Sequence, residues 1–328
     1  MMKIGYSYHG NTFFDHFKRD VEEMKKAGAS YLVQTFSENN MEYNFDNFYN
    51  MNNYAQEMGL EVHMDPWSLA GIFGGEAYSR FLLENPQVWQ RNNQGEKLPL
   101  ACLNHPDTVD FVRKWIDIVS QLSVDYIFWD EPHFFIQVDP ESPIWGCRCP
   151  VCQEKFFSEN GYEIPEKKSN QIEQFKKDSI KSFLQEMITF STKKEIKNGL
   201  CVLPPARDED FSEYWRGLIR DLKLDYFGTD PYWLGWKRSI EEMLVPLTIT
   251  VTRLCQEFKI DSQIWLQGFK INDSKIDEWE KGIDTIIASK PDYLGVWSYR
   301  CCNSLSYLDY NNSNKLWEIL KKKVRDKR

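Results

Sequence analysis

Two groups of residues in this chain could do chemistry, an acidic pair and a cysteine cluster. The apolar run Val124 to Trp129 ends abruptly in Asp130-Glu131-Pro132. Adjacent carboxyl groups repel when both are ionised, which raises one pKa and keeps an acid protonated near neutrality. Cleavage of a glycosidic bond needs such an acid to protonate the leaving oxygen, and a second group to stabilise or attack the oxocarbenium-like carbon. Glu131 fits the acid. Asp130 is one candidate for the second group, and Asp230, at the end of Tyr226–Thr229, is another. An Asp-Glu step before proline is also a common strand exit or N-cap, so its position in the fold decides its meaning.

Cys147-Arg148-Cys149-Pro150-Val151-Cys152 is tight enough for three thiolates to reach one tetrahedral zinc ion at about 2.3 Å. Cys102 is the natural fourth ligand, because it precedes the acidic strand as the cluster follows it. A closed four-thiolate shell leaves no position for water, so its role would be structural. The other four cysteines, Cys201, Cys255, Cys301 and Cys302, suit buried small hydrophobes.

These residues need a scaffold, and the chain alternates short apolar runs with amphipathic stretches, the pattern of βαβ units around a parallel sheet. Eight units predict a (β/α)8 TIM barrel of class α/β, a single domain over 1–328. The expected strands are Lys3–Tyr8, Tyr31–Phe36, Glu61–Trp67, Val124–Trp129, Leu200–Leu203, Tyr226–Thr229, Gln263–Gln267 and Tyr293–Ser298. The expected helices are Asp15–Ala27, Asn47–Met58, Thr108–Leu122, Asn170–Lys197, Phe211–Leu222, Ser239–Phe258, Asp277–Ser289 and one from Asn314 onward. Long loops after strands three and four, about 68–106 and 132–169, would be pinned together by the zinc. An open doubly wound sheet is the alternative, but no Gly-x-Gly-x-x-Gly follows any strand.

In a barrel, catalytic residues come from the C-terminal ends of the strands. Those ends carry Tyr6, Tyr8 and His9; Gln34 and Thr35; His63, Asp65 and Trp67; Asp130, Glu131 and His133; Arg207; Asp230, Tyr232 and Trp233; Gln267; and Trp297, Tyr299 and Arg300. The histidines could bind sugar hydroxyls and equally suit structural hydrogen bonds. The aromatics could be stacking platforms for sugar faces, or plain packing.

The layout resembles the zinc-containing family 42 β-galactosidases and related clan A glycoside hydrolases, in which a Cys before strand four joins a Cys-x-Cys-x-x-Cys cluster following the catalytic acid. Cys102, Cys147, Cys149, Cys152 and Glu131 carry the resemblance, which covers about the first half of the chain. It implies a barrel hydrolase with Glu131 as acid. Two departures stand out: Asp130 replaces the Asn that precedes the acid, and Gln267 occupies the place of the Glu nucleophile. The adjacent Asp-Glu pair instead resembles substrate-assisted β-N-acetylhexosaminidases, where the Asp orients an attacking 2-acetamido group.

Composition narrows the classes. The chain is 42% hydrophobic and 27% charged, as globular proteins are, with 12 Trp, 16 Tyr and 21 Phe. A net charge of −9 opposes a nucleic-acid footprint, and the basic run Lys321 to Arg328 reads as the solvated end of a last helix. No signal-peptide h-region and no run of eighteen apolar residues are present, so a soluble, cytoplasmic protein without membrane contact is expected. The partner expected is a small carbohydrate, and a homo-oligomer is compatible with the sequence. The other classes considered are a sugar-binding barrel without hydrolysis, favoured by Gln267, and a metal-dependent sugar isomerase or aldolase using His63, Asp65 and Asp230.

Overall fold

A computed structural model describes residues 2–9, 12–137, 139, 142–205, 211–305 and 308–325. Arg207 and residues 326–328 of the basic terminus lie outside the described residues. The strands are β1 (Lys3–Tyr8), β2 (Tyr31–Thr35), β3 (Glu61–Asp65), β4 (Trp89–Arg91), β5 (Lys97–Ala101), β6 (Tyr126–Asp130), β7 (Lys197–Val202), β8 (Tyr226–Thr229), β9 (Asp261–Gln267) and β10 (Tyr293–Trp297). Eight of them close into a parallel barrel in the order β1-β10-β9-β8-β7-β6-β3-β2, and β4 and β5 form a separate antiparallel pair. The helices are α1 (Phe14–Lys26), α2 (Glu38–Tyr43), α3 (Phe45–Glu57), α4 (Arg80–Glu84), α5 (Pro106–Val119), α6 (Pro150–Asn160), α7 (Asn170–Thr192), α8 (Ser212–Asp221), α9 (Val245–Phe258), α10 (Ile276–Ser289) and α11 (Ser313–Arg325). None of them is long and apolar enough to cross a membrane.

Alternation along each strand sends every second side chain inward. The inward set includes Tyr31, Tyr126, Phe128, Tyr226, Trp265 and Tyr293, all buried in one cluster. Rings this large fit because glycines face them from neighbouring strands: Gly5 is paired with Tyr31, Gly199 with Tyr226 and Gly295 with Trp265. A Cβ at any of the three would overlap the ring opposite. The second face of each strand packs apolar residues such as Ile4, Leu32, Val62 and Ile127 in the main core with the helices.

Several boundaries differ from expectation. The helix expected through Lys197 ends at Thr192, and β7 begins at Lys197. Glu195, at φ 63°, turns the chain, and Asn198 enters the sheet with its side chain buried against Trp129 Nε1 and Ser191 Oγ. A polar strand start had hidden this element. The helix expected from Ser239 opens with a π-helical turn, Ile240–Leu244, because Pro246 in the first turn of α9 has no N–H to donate. The two long loops hold regular elements of their own, α4 with the β4–β5 pair in the first and α6 in the second.

Candidate active site

At the C-terminal mouth the inward series end in chemistry. Asp65 tops β3 two residues beyond His63, Asp130 tops β6 beyond Phe128, Asp230 follows β8 beyond Gly228, and Trp297 tops β10 beyond Gly295. Asp130, Asp230 and Trp297 converge on a cavity of about 230 Å³, lined also by Glu131, Glu76, Trp67, Tyr232 and Trp265, while Asp65 lies fully buried outside its lining. Trp67 stacks on Trp297 at 4.9 Å, and His9 braces both rings at 4.8 and 4.4 Å. Burial lowers the His9 pKa to about 4, so it stands there as a neutral ring.

The acidic pair is held by backbone. The Gly74 amide donates to the Asp130 carbonyl at 2.9 Å, and the Glu131 amide donates to Cys201 O at 3.0 Å. Glu131 sits at φ 46°, in the left-handed region. For a residue other than glycine this costs on the order of 1–3 kcal/mol and concentrates at functional sites. His133 stabilises the turn, its Nδ1–H donating to the Glu131 carbonyl at 2.6 Å while its own amide donates to Ile72 O.

Four carboxyl groups here are shifted upward. Burial raises Asp65, and the charges of Asp130 and Glu131 add to it; burial likewise raises Asp130, with Glu131 and Glu76 adding. Burial raises Glu131 too, opposed by a hydrogen bond with Asp230, while burial and the neighbouring Glu131 raise Asp230. A hydrogen bond links Glu131 and Asp230, lowering the one and raising the other. Asp65 Oδ1 and Oδ2 and Asp230 Oδ1 are buried without a hydrogen-bond partner.

The structure does not bring every expected residue to the mouth. Tyr6 lies on the outward face, its hydroxyl donating to Ala27 O at 3.2 Å and its ring against Trp317. His63 is inward but near the opposite end, caged by Tyr31, Tyr126 and Tyr226, with Nδ1 2.9 Å from the Tyr226 hydroxyl and Nε2 3.7 Å from Glu61. Trp233 is fully buried with its ring over Gly282 of α10. Tyr299 donates to Asp20 and Glu23, and Arg300 pairs with Glu23 on the outer surface. His133 lines a neighbouring groove. Gln267 is buried, with Oε1 accepting from the Gly235 amide and Nε2 donating to Phe269 O, so its amide is fully engaged.

Conversely, Glu76, Phe128, Trp265, Phe269 and Lys270 line the cavity unannounced. Phe128 and Trp265 lie two residues before a strand end, so strict alternation from Asp130 and Gln267 would have found them. Glu76 and the pair Phe269-Lys270 belong to loops, whose path no periodicity encodes.

Cys102, Cys147, Cys149 and Cys152 are buried with their sulfurs within 4.8 Å of one another, Cys102 and Cys152 at 3.4 Å. Hydrogen bonds from Cys102, Cys147 and Cys152 hold the Cys149 thiol far below its ordinary range. The set can hold a metal ion, and its all-thiolate chemistry suits a soft or borderline one. Asn104 Nδ2 adds a hydrogen bond to Cys152 Sγ at 3.4 Å and another to Ser179 Oγ at 3.0 Å, tying the set to α7. Among the described residues no other group of three potential ligands converges this closely; His63, Asp65 and Asp230 do not form a second metal site.

No family model matches the chain, and no curated protein matches its sequence. Solved structures do. The catalytic domain of a β-amylase from Paenibacillus polymyxa matches with a TM-score of 0.68 at 9% identity, covering 100% of this chain and 99% of that one. A D-allulose 3-epimerase from Methylomonas sp. matches with a TM-score of 0.54 at 9% identity, covering 100% and 98%. At this identity the likeness shows the fold, an eight-stranded α/β barrel.

Proposed function

We propose that the chain is one barrel domain acting as a glycoside hydrolase, with Glu131 as proton donor and a structural zinc on Cys102, Cys147, Cys149 and Cys152. The observation that carries this is the pairing of the Glu131 and Asp230 carboxyl groups at the wall of an aromatic cavity. A general acid must hold a proton at working pH; burial raises Glu131 in that direction, and the residue is still partly exposed. The cavity, smaller than the roughly 300–1,000 Å³ that takes drug-sized ligands, suits a single sugar ring.

Geometry also sorts the candidates for the second group. Carboxyl groups that flank a glycosidic bond stand about 5–5.5 Å apart in retaining enzymes and about 6.5–9.5 Å in inverting ones. Glu131 and Asp230 are within hydrogen-bonding reach, too close for a sugar carbon to lie between them. Asp230 therefore poises the acid's proton, and Gln267 is engaged elsewhere. This leaves Asp130, acting on the substrate directly or orienting a group of the substrate that attacks. The fold likeness to enzymes named β-amylase and D-allulose 3-epimerase agrees with a small carbohydrate as partner.

A second reading, epimerisation, is favoured by the fold likeness to an enzyme named D-allulose 3-epimerase and by several raised carboxyl groups lining one cavity, any of which could take hydrogen from a sugar carbon. The test is a panel of nitrophenyl glycosides on wild type and Glu131→Gln. Turnover should fall at least about 100-fold in the variant. If no glycoside turns over while ketoses exchange carbon-bound hydrogen with heavy water, the hydrolase reading is abandoned.

A further inference from the structure

The cavity holds more acid than glycosidic cleavage uses. Two carboxyl groups suffice for that chemistry, whereas Asp130, Glu131, Asp230 and Glu76 line this one, and Asp65 lies buried close enough to feel the charges of Asp130 and Glu131. Among the described lining residues Lys270 is the one cation. Internal hydrogen bonds do not absorb the excess. Asp230, a lining residue only 6% exposed, has Oδ1 buried and unpartnered, and Asp65, behind the lining at 0%, has both oxygens unpartnered. Burial of unpartnered carboxyl oxygens is unfavourable, so the arrangement is built for an occupant that brings donors and positive charge.

The walls say which kind of cation. A divalent metal needs several oxygen ligands converging on one point, and among the described residues the carboxyl oxygens do not converge in threes. Trp67, Trp265, Trp297 and Tyr232 offer π faces instead, which attract organic cations and stack on sugar rings. We propose that the cavity takes an amino sugar, its protonated amine facing the Asp130–Asp230 side and its ring against the tryptophans. This rests on the hydrolase reading and narrows its substrate class.

Burial and mutual repulsion raise these carboxyl groups, and an arriving ammonium acts in the opposite direction, so binding should release a proton from the cluster. The groups facing it are Glu76 from the loop after β3, Asp130 at the end of β6 with Glu131 after it, Asp230 and Tyr232 after β8, and Lys270 after β9, with Asp65 buried behind them.

The test is calorimetric titration of the wild-type chain with D-glucosamine and D-galactosamine, their N-acetyl forms, and D-glucose and D-galactose, at a pH where the amine is charged. One amino sugar should bind at least about tenfold tighter than its neutral counterparts, with proton release read from the buffer dependence of the heat. Asp230→Asn and Asp130→Asn, checked for folding by circular dichroism, should remove most of that preference. Tighter binding of a hydroxyl or acetamido sugar while aryl glycosides are still cleaved overturns the amino-sugar proposal and leaves the hydrolase reading standing. Amine binding without proton release in the wild type also overturns it, whether or not the variants fold. Absence of binding by every sugar together with absence of glycoside turnover overturns both.

Discussion

Gly74 is the place where one methyl group tests how the acid site is held. Its amide donates to the Asp130 carbonyl, and nothing separates this loop from the carboxyl groups. A Cβ there would lie 2.9 Å from Asp130 Cγ, nearer still to Oδ2, and 3.4 Å from Glu131 Oε2, where ordinary contacts fall at 3.4–4 Å. Gly74 lies outside the left-handed region, so alanine meets no backbone obstacle and the overlap acts alone. Asp130 must retreat by roughly half an ångström or more, or the loop must lift. Displacing reacting groups by about 1 Å costs about 100-fold, so Gly74→Ala should lower kcat/KM on the best aryl glycoside by about ten- to a hundredfold. Overpacking should cost about 1–3 kcal/mol in a denaturant titration. Gly217→Ala is the control: on α8 its Cβ meets only Arg220 Nη2 at 4.0 Å, so activity should be kept and stability rise by about 0.5–1 kcal/mol. Full activity and unchanged stability in Gly74→Ala would refute the idea that this loop positions the acids.

Asp230→Ala removes the hydrogen bond that lowers Glu131 against burial and Glu76, which raise it. Glu131 should then stay protonated to higher pH, and the alkaline limb of kcat/KM should move up; a limb that moves down counts against Glu131 as the acid. The chain should carry one zinc by elemental analysis, and chelation or Cys149→Ser should remove roughly 4 kcal/mol if free zinc stands a thousandfold above Kd; a chain that purifies metal-free and melts alike with chelator would sink the zinc assignment. Burial opposes charge on Glu61, yet the nearby His63 ring and the Lys3 ammonium, 2.6 Å from Oε1, hold its pKa at about 2. That is below the unfolded value of about 4.3, so its contribution is present above the unfolded pKa and lost as pH falls through the folded one. Glu61→Gln should therefore destabilise by on the order of 2 kcal/mol at pH 7, with the difference from wild type closing between about pH 5 and 2; an equal difference at both ends would disprove the linkage.

The barrel was legible because its strands are short apolar runs ending in charge, and Asp65, Asp130 and Asp230 are each the last inward residue of such a run. Which face points inward was less legible. Tyr6 and Tyr8 look like mouth residues, but on β1 the inward series is Gly5, Ser7 and His9, and the tyrosines pack outward. A strand buried on both faces gives no polar alternation to set its phase. Depth was hidden as well: His63 is inward but sits level with Tyr126, two inward residues below Asp130, its place fixed by tyrosines from four other strands. The glycines that admit those rings are signals only once the register is known.

The first long loop touches the acid at its start and the cysteine set at its end: Ile72 and Gly74 bind the His133 amide and the Asp130 carbonyl, and Cys102 closes the loop. The second begins with the acid and carries Cys147, Cys149 and Cys152. The cysteines are one of several ties between them. Phe135 N donates to Gln90 Oε1 at 2.9 Å, Arg148 N to Arg91 O at 2.7 Å and Asn93 N to Trp145 O at 3.0 Å, all across the β4–β5 pair. With the acid anchored by backbone bonds that involve no thiolate, loss of metal should act on the fold before it acts on the chemistry. Chelated enzyme assayed below its lowered melting point should therefore keep most of its kcat per folded molecule. A collapse of kcat with the fold intact would mean that the metal, and not the backbone, positions Glu131.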